Sequence, residues 1–287
     1  MKKIIAFLLV AIMAVSCLAL TSCGNSDPKV KIIDVQLTQE EYAFVIKEGN
    51  SALQNDMNAF LAEIKANGKF QEIVDKYFKG EGEKVGYSVS GSGTSNTEGK
   101  FVVVTNCPFE PFEYLGTDGK IYGVDIEIAA AYAQSRNLEL VIKNLPEFDS
   151  IFTEVNAGYA DIGMAGITVS ADREASYDFT STYYNASQKI IVAIDNTAFD
   201  NCETAADVEA VINNLANGTK FGYQTGTTGG MYVMGNEDWG YSGFDNLNGK
   251  GYATALDAVK DLANGNLYAV VVDEAPGSAI VKVVNGK

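Results

Sequence analysis

The sequence predicts an α/β protein of two lobes on mostly parallel sheets, and three observations carry that prediction. Beyond residue 100, short β-branched apolar runs alternate with amphipathic stretches of helical spacing, the pattern of parallel strands covered by helices. Roughly 265 residues follow an apparent leader, more than one small core accommodates. A stretch poor in apolar residues, residues 80–98, divides the chain into two pieces.

Taken in order, Met1, Lys2 and Lys3 precede an apolar run from Ile4 to Leu20, the plan of a secretory signal peptide over residues 1–22. The run ends in Leu20-Thr21-Ser22-Cys23, similar to a bacterial lipobox, which implies lipidation of Cys23 and a tether over 23–29. The competing reading, an uncleaved anchor helix, is disfavoured because the run is short for a bilayer span. Val30 to Val35 alternates as a strand, and Tyr42 to Ile46 reads as another. Met57, Phe60, Leu61 and Ile64 recur at helical spacing before a capping Gly68, and Phe70, Ile73, Val74, Tyr77 and Phe78 mark a second helix. Ser88 to Ser95 lies at the centre of a flexible linker, 80–98. Strands are then expected at Phe101–Thr105, Leu138–Ile142, Ile162–Ala165, Lys189–Ile194, Thr219–Tyr223 and Tyr268–Val272. Helices are expected at Ile126–Tyr132, Phe148–Asn156, Ala205–Leu215, Ala253–Ala263 and Ala275–Val284.

Composition excludes several functions. The chain carries a formal charge of −16, against the basic patches that nucleic-acid binding needs. It contains no histidine, which removes Ser-His-Asp and Cys-His catalysis and the usual zinc spacings. Cys107 and Cys202 are too few and too distant for a disulfide framework. No metal or cofactor is expected.

Four ordered blocks then carry a resemblance. They are Pro108-Phe-Glu-Pro-Phe-Glu-Tyr114 with Tyr122-Gly-Val-Asp-Ile-Glu-Ile128; Ala160-Asp-Ile-Gly-Met-Ala-Gly-Ile-Thr168 with Arg173 and Tyr177 to Tyr184; Gln224-Thr-Gly-Thr-Thr228; and Ala269-Val-Val-Val-Asp273. Together they resemble the family 3 extracellular solute-binding proteins, the polar amino acid receptors of ABC transporters, with the two-lobed type II periplasmic binding protein fold. The resemblance implies a monomeric binding protein, not an enzyme, that closes around a zwitterionic amino acid and delivers it to a membrane permease. It places the ligand carboxylate on Arg173 and Thr228, has Thr168 and the amide around Gly166 add donors to the carboxylate or acceptors to the ammonium, and counts Ala165 among the ligand residues. The ammonium falls to Asp273, the aliphatic part to Phe109 and Phe148, and the side-chain end to Asn106 and Gln224. Because neither Asn106 nor Gln224 is charged, this pair leans away from a strongly basic or acidic ligand.

Each residue also has a plainer reading. Ser170-Ala-Asp-Arg173 looks like a helix start, which would leave Arg173 on a surface. Asp273 precedes Glu274, Ala275 and Pro276, so it also suits a helix N-cap. The glycines after Gln224 suit a turn, and a Phe is most often core. Some proteins of similar fold are cyclohexadienyl dehydratases, for which Glu110 or Glu147 would be the candidate acid. A signalling receptor's sensor half is a third reading.

The order of the blocks departs from the family. The strand, hinge and two helices that usually follow the aspartate stand instead at the front, in Val30–Val35, Glu40–Ile46 and Asn50–Gly80. The chain therefore reads as a circular permutant, with lobe 2 from 30–40 and 186–287, lobe 1 from 41–79 and 99–185, and hinges near Gln39–Phe44 and Tyr184–Lys189. A duplicated appendage is the rival account.

Overall fold

The computed structural model describes residues 28–90 and 92–286, so the leader and Cys23 lie outside the described residues. Two five-stranded sheets form the two lobes. In the first, the order is Glu139–Asn144, Lys100–Thr105, Ile162–Gly163, Val45–Lys47, Tyr177–Phe179. In the second it is Val30–Ile32, Gln188–Ala193, Ala269–Asp273, Thr219–Gln224, Leu247–Tyr252. Strand Glu40–Tyr42 pairs antiparallel with Tyr184–Ala186 between them.

The sheets are more mixed than the expectation of mostly parallel strands. Within each, the two pairings remote from the hinge are parallel and the two beside the hinge-derived strand are antiparallel. The reason is geometric. Parallel strands end at the cleft, as Thr105 and Asp273 do, whereas a strand arriving from the hinge starts there and must run the other way. Gln188, at the start of its strand, is accordingly opposite Asp273, at the end of its own.

Each sheet is covered on both faces, which explains its nearly continuous apolar strands. Phe101 and Val103 enter one lobe 1 core while Val102 and Val104 enter the other. Ala269 and Val271 likewise face the opposite side from Val270 and Val272. The first lobe 1 face is closed by helices Ser51–Ala66 and Lys69–Phe78 together with Val124–Ser135. Between the first two, Gly68 adopts φ +84°, a left-handed turn that stops one helix and starts the next. Lys76 and Glu127 form a buried ion pair of 2.6 Å that ties Lys69–Phe78 to Val124–Ser135. At the far side of lobe 2, Asn285 Oδ1 accepts from the N–H groups of Lys29 and Val30, and its Nδ2 donates to the Val30 carbonyl. The Val30 strand thus shares a sheet with Val271.

Segment 80–98, expected to be a flexible linker, is laid along lobe 1. Tyr87 exchanges two backbone hydrogen bonds with Ile121, Ser90 donates to the Ile142 carbonyl and Ser95 to that of Gly158. Most of its side chains are polar, but its backbone still pairs and Tyr87 packs against Ile121, Ile126 and Ile142. The expected single strand Tyr42–Ile46 is broken, because Tyr42 pairs in the hinge and Val45 in the lobe 1 sheet. Strand Leu247–Tyr252 and helix Thr228–Met234 escape the sequence reading, since both are interrupted by glycine. No described helix is long and apolar enough to cross a membrane.

Candidate functional site

The carboxyl ends of the lobe 1 and lobe 2 strands face each other across a cleft, the place where α/β sheets bind ligands. All ten sequence-predicted ligand residues line it: Asn106, Phe109, Phe148, Ala165, Gly166, Thr168 and Arg173 from lobe 1, and Gln224, Thr228 and Asp273 from lobe 2. Glu113 and Thr227 complete the lining.

Arg173 satisfies both of its sequence readings. Ser170 accepts its backbone N–H and starts the short helix Ala171–Glu174, yet the guanidinium is buried in the cleft. Nη1 donates to the Thr168 carbonyl at 2.6 Å, and Nη2 donates across the cleft to the Gly226 carbonyl at 3.1 Å. The rings of Phe148, Phe152 and Trp239 surround it at 5.5, 5.0 and 5.5 Å. Burial lowers its pKa to about 10, where it remains a cation at neutral pH. It has no carboxylate partner within salt-bridge range among the described residues. The charge is therefore held in place, with its ion-pairing capacity unused.

Asp273 ends its strand and stands at the N-cap of helix Glu274–Val284, but its side chain makes no capping bond. Its carboxylate instead accepts the Tyr42 hydroxyl. Burial first, then the charge of Glu40, raises its pKa to about 7. A cation beside it would bring that value down.

Thr228 lacks the free donor expected of it, and Thr168 keeps only the acceptor one of its two expected roles. A hydroxyl carries one hydrogen. Thr168 and Thr228 each donate theirs to Glu40 Oε2 at 2.8 Å, and Thr228 also accepts from Gln188 Nε2 at 3.0 Å. The Gly166 N–H is likewise taken, by Asp125 at 2.9 Å. Gly166 is required where it stands, since φ is +53° and a Cβ would lie 2.6 Å from the Phe109 ring. What Thr168 and Thr228 present to the cleft is hydroxyl lone pairs. Phe148 packs against Arg173, while Phe109 lies over Gly166. At the other end, Gln224 Nε2 donates to Asn106 Oδ1 at 2.8 Å and joins the lobes.

Sequence reasoning missed Glu40, Tyr42, Glu113, Gln188 and Trp239. Glu113 is 1% exposed, and its Oε2 has no partner among the described residues. Burial, with Asp125 and Asp273 nearby, holds its carboxyl well above the usual range. Tyr42 and Glu40 were legible only as alternating inward positions of a hinge strand. Trp239, the only tryptophan, stands in a glycine-flanked loop, which was a usable signal. Glu110 and Glu147, the acids named for a dehydratase, do not line the cleft. Cys107 and Cys202 are both free and half-buried.

Comparison with known proteins places this geometry. The pattern of the bacterial extracellular solute-binding proteins, family 3, matches residues 101–266. A probable histidine-binding protein of Neisseria gonorrhoeae is 31% identical over 183 residues, 63% of this chain and 61% of that one. The arginine-binding extracellular protein ArtP of Bacillus subtilis (strain 168) is 30% identical over 107 residues, 37% of this chain and 41% of its own length. The chain thus spans about two fifths to three fifths of these curated relatives. The arginine-bound truncated ArgBP of T. maritima shares the fold with a TM-score of 0.54 at 26% identity, over 65% of this chain and 79% of that one. The type II periplasmic binding protein architecture and a family match over more than half its length agree: this chain belongs to the bacterial extracellular solute-binding proteins, family 3.

Proposed function

We propose that this chain is the extracytoplasmic receptor of an amino acid ABC importer, held at the membrane by a lipid on Cys23. The observation that carries the reading is one buried cleft with a cation from one lobe and an anion from the other. Arg173 brings two N–H groups on a planar fork, the geometry that best grips a carboxylate. Asp273 brings a carboxylate whose raised pKa marks it as short of a cation. A zwitterionic amino acid supplies the complement of both. Its ammonium also meets the lone pairs that Thr168 and Thr228 turn inward, and the Phe109 ring covers its aliphatic part.

Since the two charges come from opposite lobes, the ligand makes all its contacts only when the cleft is closed. Binding then shifts a hinge equilibrium about Glu40–Tyr42 and Tyr184–Ala186, and the permease reads the closed form. The relatives' names, histidine-binding and arginine-binding, support an amino acid as the ligand.

The circular permutation belongs to the same proposal. Residues 30–79 supply the outer strand of the lobe 2 sheet, one hinge strand, an inner strand of the lobe 1 sheet and two helices of the lobe 1 core. The family pattern begins at residue 101, just past the linker. These positions support an integral segment moved to the front over an appendage.

The experiment is a thermal-shift screen of the purified mature protein against the common amino acids and cystine, followed by calorimetry of the hits. Micromolar binding of at least one amino acid is expected, about −8 kcal/mol, within reach of two buried charge pairs. Absence of any shift across the panel would exclude the amino acid receptor.

A further inference from the structure

Resting on the amino acid reading, we propose that the cleft selects ligands carrying a net positive charge, and that Glu40 sets this preference.

The argument begins with how many charges the cleft holds. Four carboxyl groups are buried in or directly behind it: Glu40, Glu113, Asp125 and Asp273, all 5% exposed or less. Among the described residues one cation, Arg173, lines it. Two of the four acids have ways to remain uncharged. Burial pushes Glu113 well above the carboxylate range and Asp125 up to about 7. Glu40 is different. It accepts three hydroxyl hydrogens, from Thr38 at 2.7 Å and from Thr168 and Thr228 at 2.8 Å, and donates none. That is the bonding pattern of an ionised carboxylate, which has acceptor sites only.

None of the three donors is charged, and Glu40 has no salt-bridge partner among the described residues. Its field reaches the cleft all the same. After burial, its charge is the strongest neighbouring influence on both Asp273 and Arg173. A ligand ammonium beside Asp273 holds that carboxyl ionised. Asp125 lacks such a cation, being bonded among the described residues only to the Gly166 N–H and the Tyr183 hydroxyl. With Glu40 and Asp273 then ionised against Arg173, the site sums to −1. A neutral zwitterion leaves that charge buried and unmatched, a second acid would worsen it, and a monocationic amino acid brings it to zero. Buried charge without compensation is strongly unfavourable.

The selection works through the field and not through a direct contact. Asn106 and Gln224, at the side-chain end, are neutral amides bonded to each other. That pair alone gave the sequence its lean away from a basic ligand. Glu40 lies behind the threonines on the hinge strand, so it is a positioning and selectivity residue that touches no ligand.

Arginine and citrulline test this, since they match in shape and differ by one charge. Their affinities are measured by calorimetry on the mature protein, wild type and Glu40→Gln, with Glu40→Asp as the conservative control. At an effective dielectric near 20, a charge roughly 8 Å away alters affinity about thirtyfold. The wild type is expected to favour arginine by at least about thirtyfold. Glu40→Gln should cut that ratio about tenfold or more, and Glu40→Asp should restore most of it. A wild-type protein that binds citrulline or glutamine as well as arginine would overturn the inference while leaving an amino acid receptor in place. So would a Glu40→Gln variant that weakens or strengthens both ligands by the same factor, which would make Glu40 a latch or a competitor for the site. A wild type that binds no amino acid at all would instead sink the underlying reading.

Discussion

Glu127 and Glu40 are buried to the same degree, 5% exposed each, yet their surroundings differ in kind. Glu127 meets the Lys76 ammonium at 2.6 Å, the Tyr77 hydroxyl at 2.6 Å and the Val85 N–H at 3.3 Å. Its charge is matched on the spot, and the three partners fasten a front-segment helix and the linker to lobe 1. Glu40 meets hydroxyls alone, and these belong to the hinge and to both lobes. One acid holds the fold together. The other leaves a charge facing the place where the lobes meet. The difference separates structural carboxylates from functional ones better than burial does.

Breaking the structural pair should give the largest effect of all. Lys76→Met leaves Glu127 buried without its cation and is expected to cost about 3–5 kcal/mol of stability, measured by denaturant unfolding, with unaltered preference among ligands. Adding Glu127→Gln should recover much of the loss, because the stranded charge is then gone.

On the cleft side, Asp273→Asn is expected to lower amino acid affinity about a hundredfold by calorimetry, with less than about 1 kcal/mol of lost stability. A second buried charge is removed here, but one that only a ligand would match. An affinity within threefold of wild type would take Asp273 off the ammonium.

The pH response sharpens the same contrast. Asp273 and Asp125 both have folded pKa values of about 7, raised first by burial. A raised value means the folded state favours the protonated form. The stability these groups contribute is therefore complete below about pH 4 and is lost as pH rises through about 7. Without ligand, the melting temperature should fall between pH 5 and pH 7.5, and Asp273→Asn should flatten part of that slope. Ligand binding should run the opposite way. An ammonium needs Asp273 ionised, so affinity should fall by up to about tenfold per pH unit below pH 7. Titrations at pH 5, 6 and 7 would check the sign.

The smallest effect belongs to the amide pair. Asn106→Ala removes one neutral inter-lobe hydrogen bond and should weaken binding by less than about tenfold, again by calorimetry.

How far the sequence could be read follows the same physics. The alternation of apolar strands and amphipathic helices made both lobes visible, because each strand is buried on two faces. Motif blocks carried eight of the ten predicted ligand residues to one cleft wall or the other, and Asn106 and Phe148, outside the blocks, line it too. What stayed hidden was how they bond to one another. The hydroxyl hydrogens of Thr168 and Thr228 are taken by a residue 128 and 188 positions away, and the Gly166 amide by one 41 positions away. No local pattern reports such long-range partners. Leu247–Tyr252 was missed for the opposite reason: Gly249 and Gly251 erase the β-branched signature, although the strand is a regular parallel edge.

The claim that supports all the others is that Arg173 and Asp273 neutralise the two ends of one captured amino acid. Calorimetry of Arg173→Ala, with the fold checked by circular dichroism, tests it most directly. The expected result is an affinity at least about a hundredfold weaker in a protein that still melts cooperatively. A folded variant that binds with wild-type affinity would contradict the account.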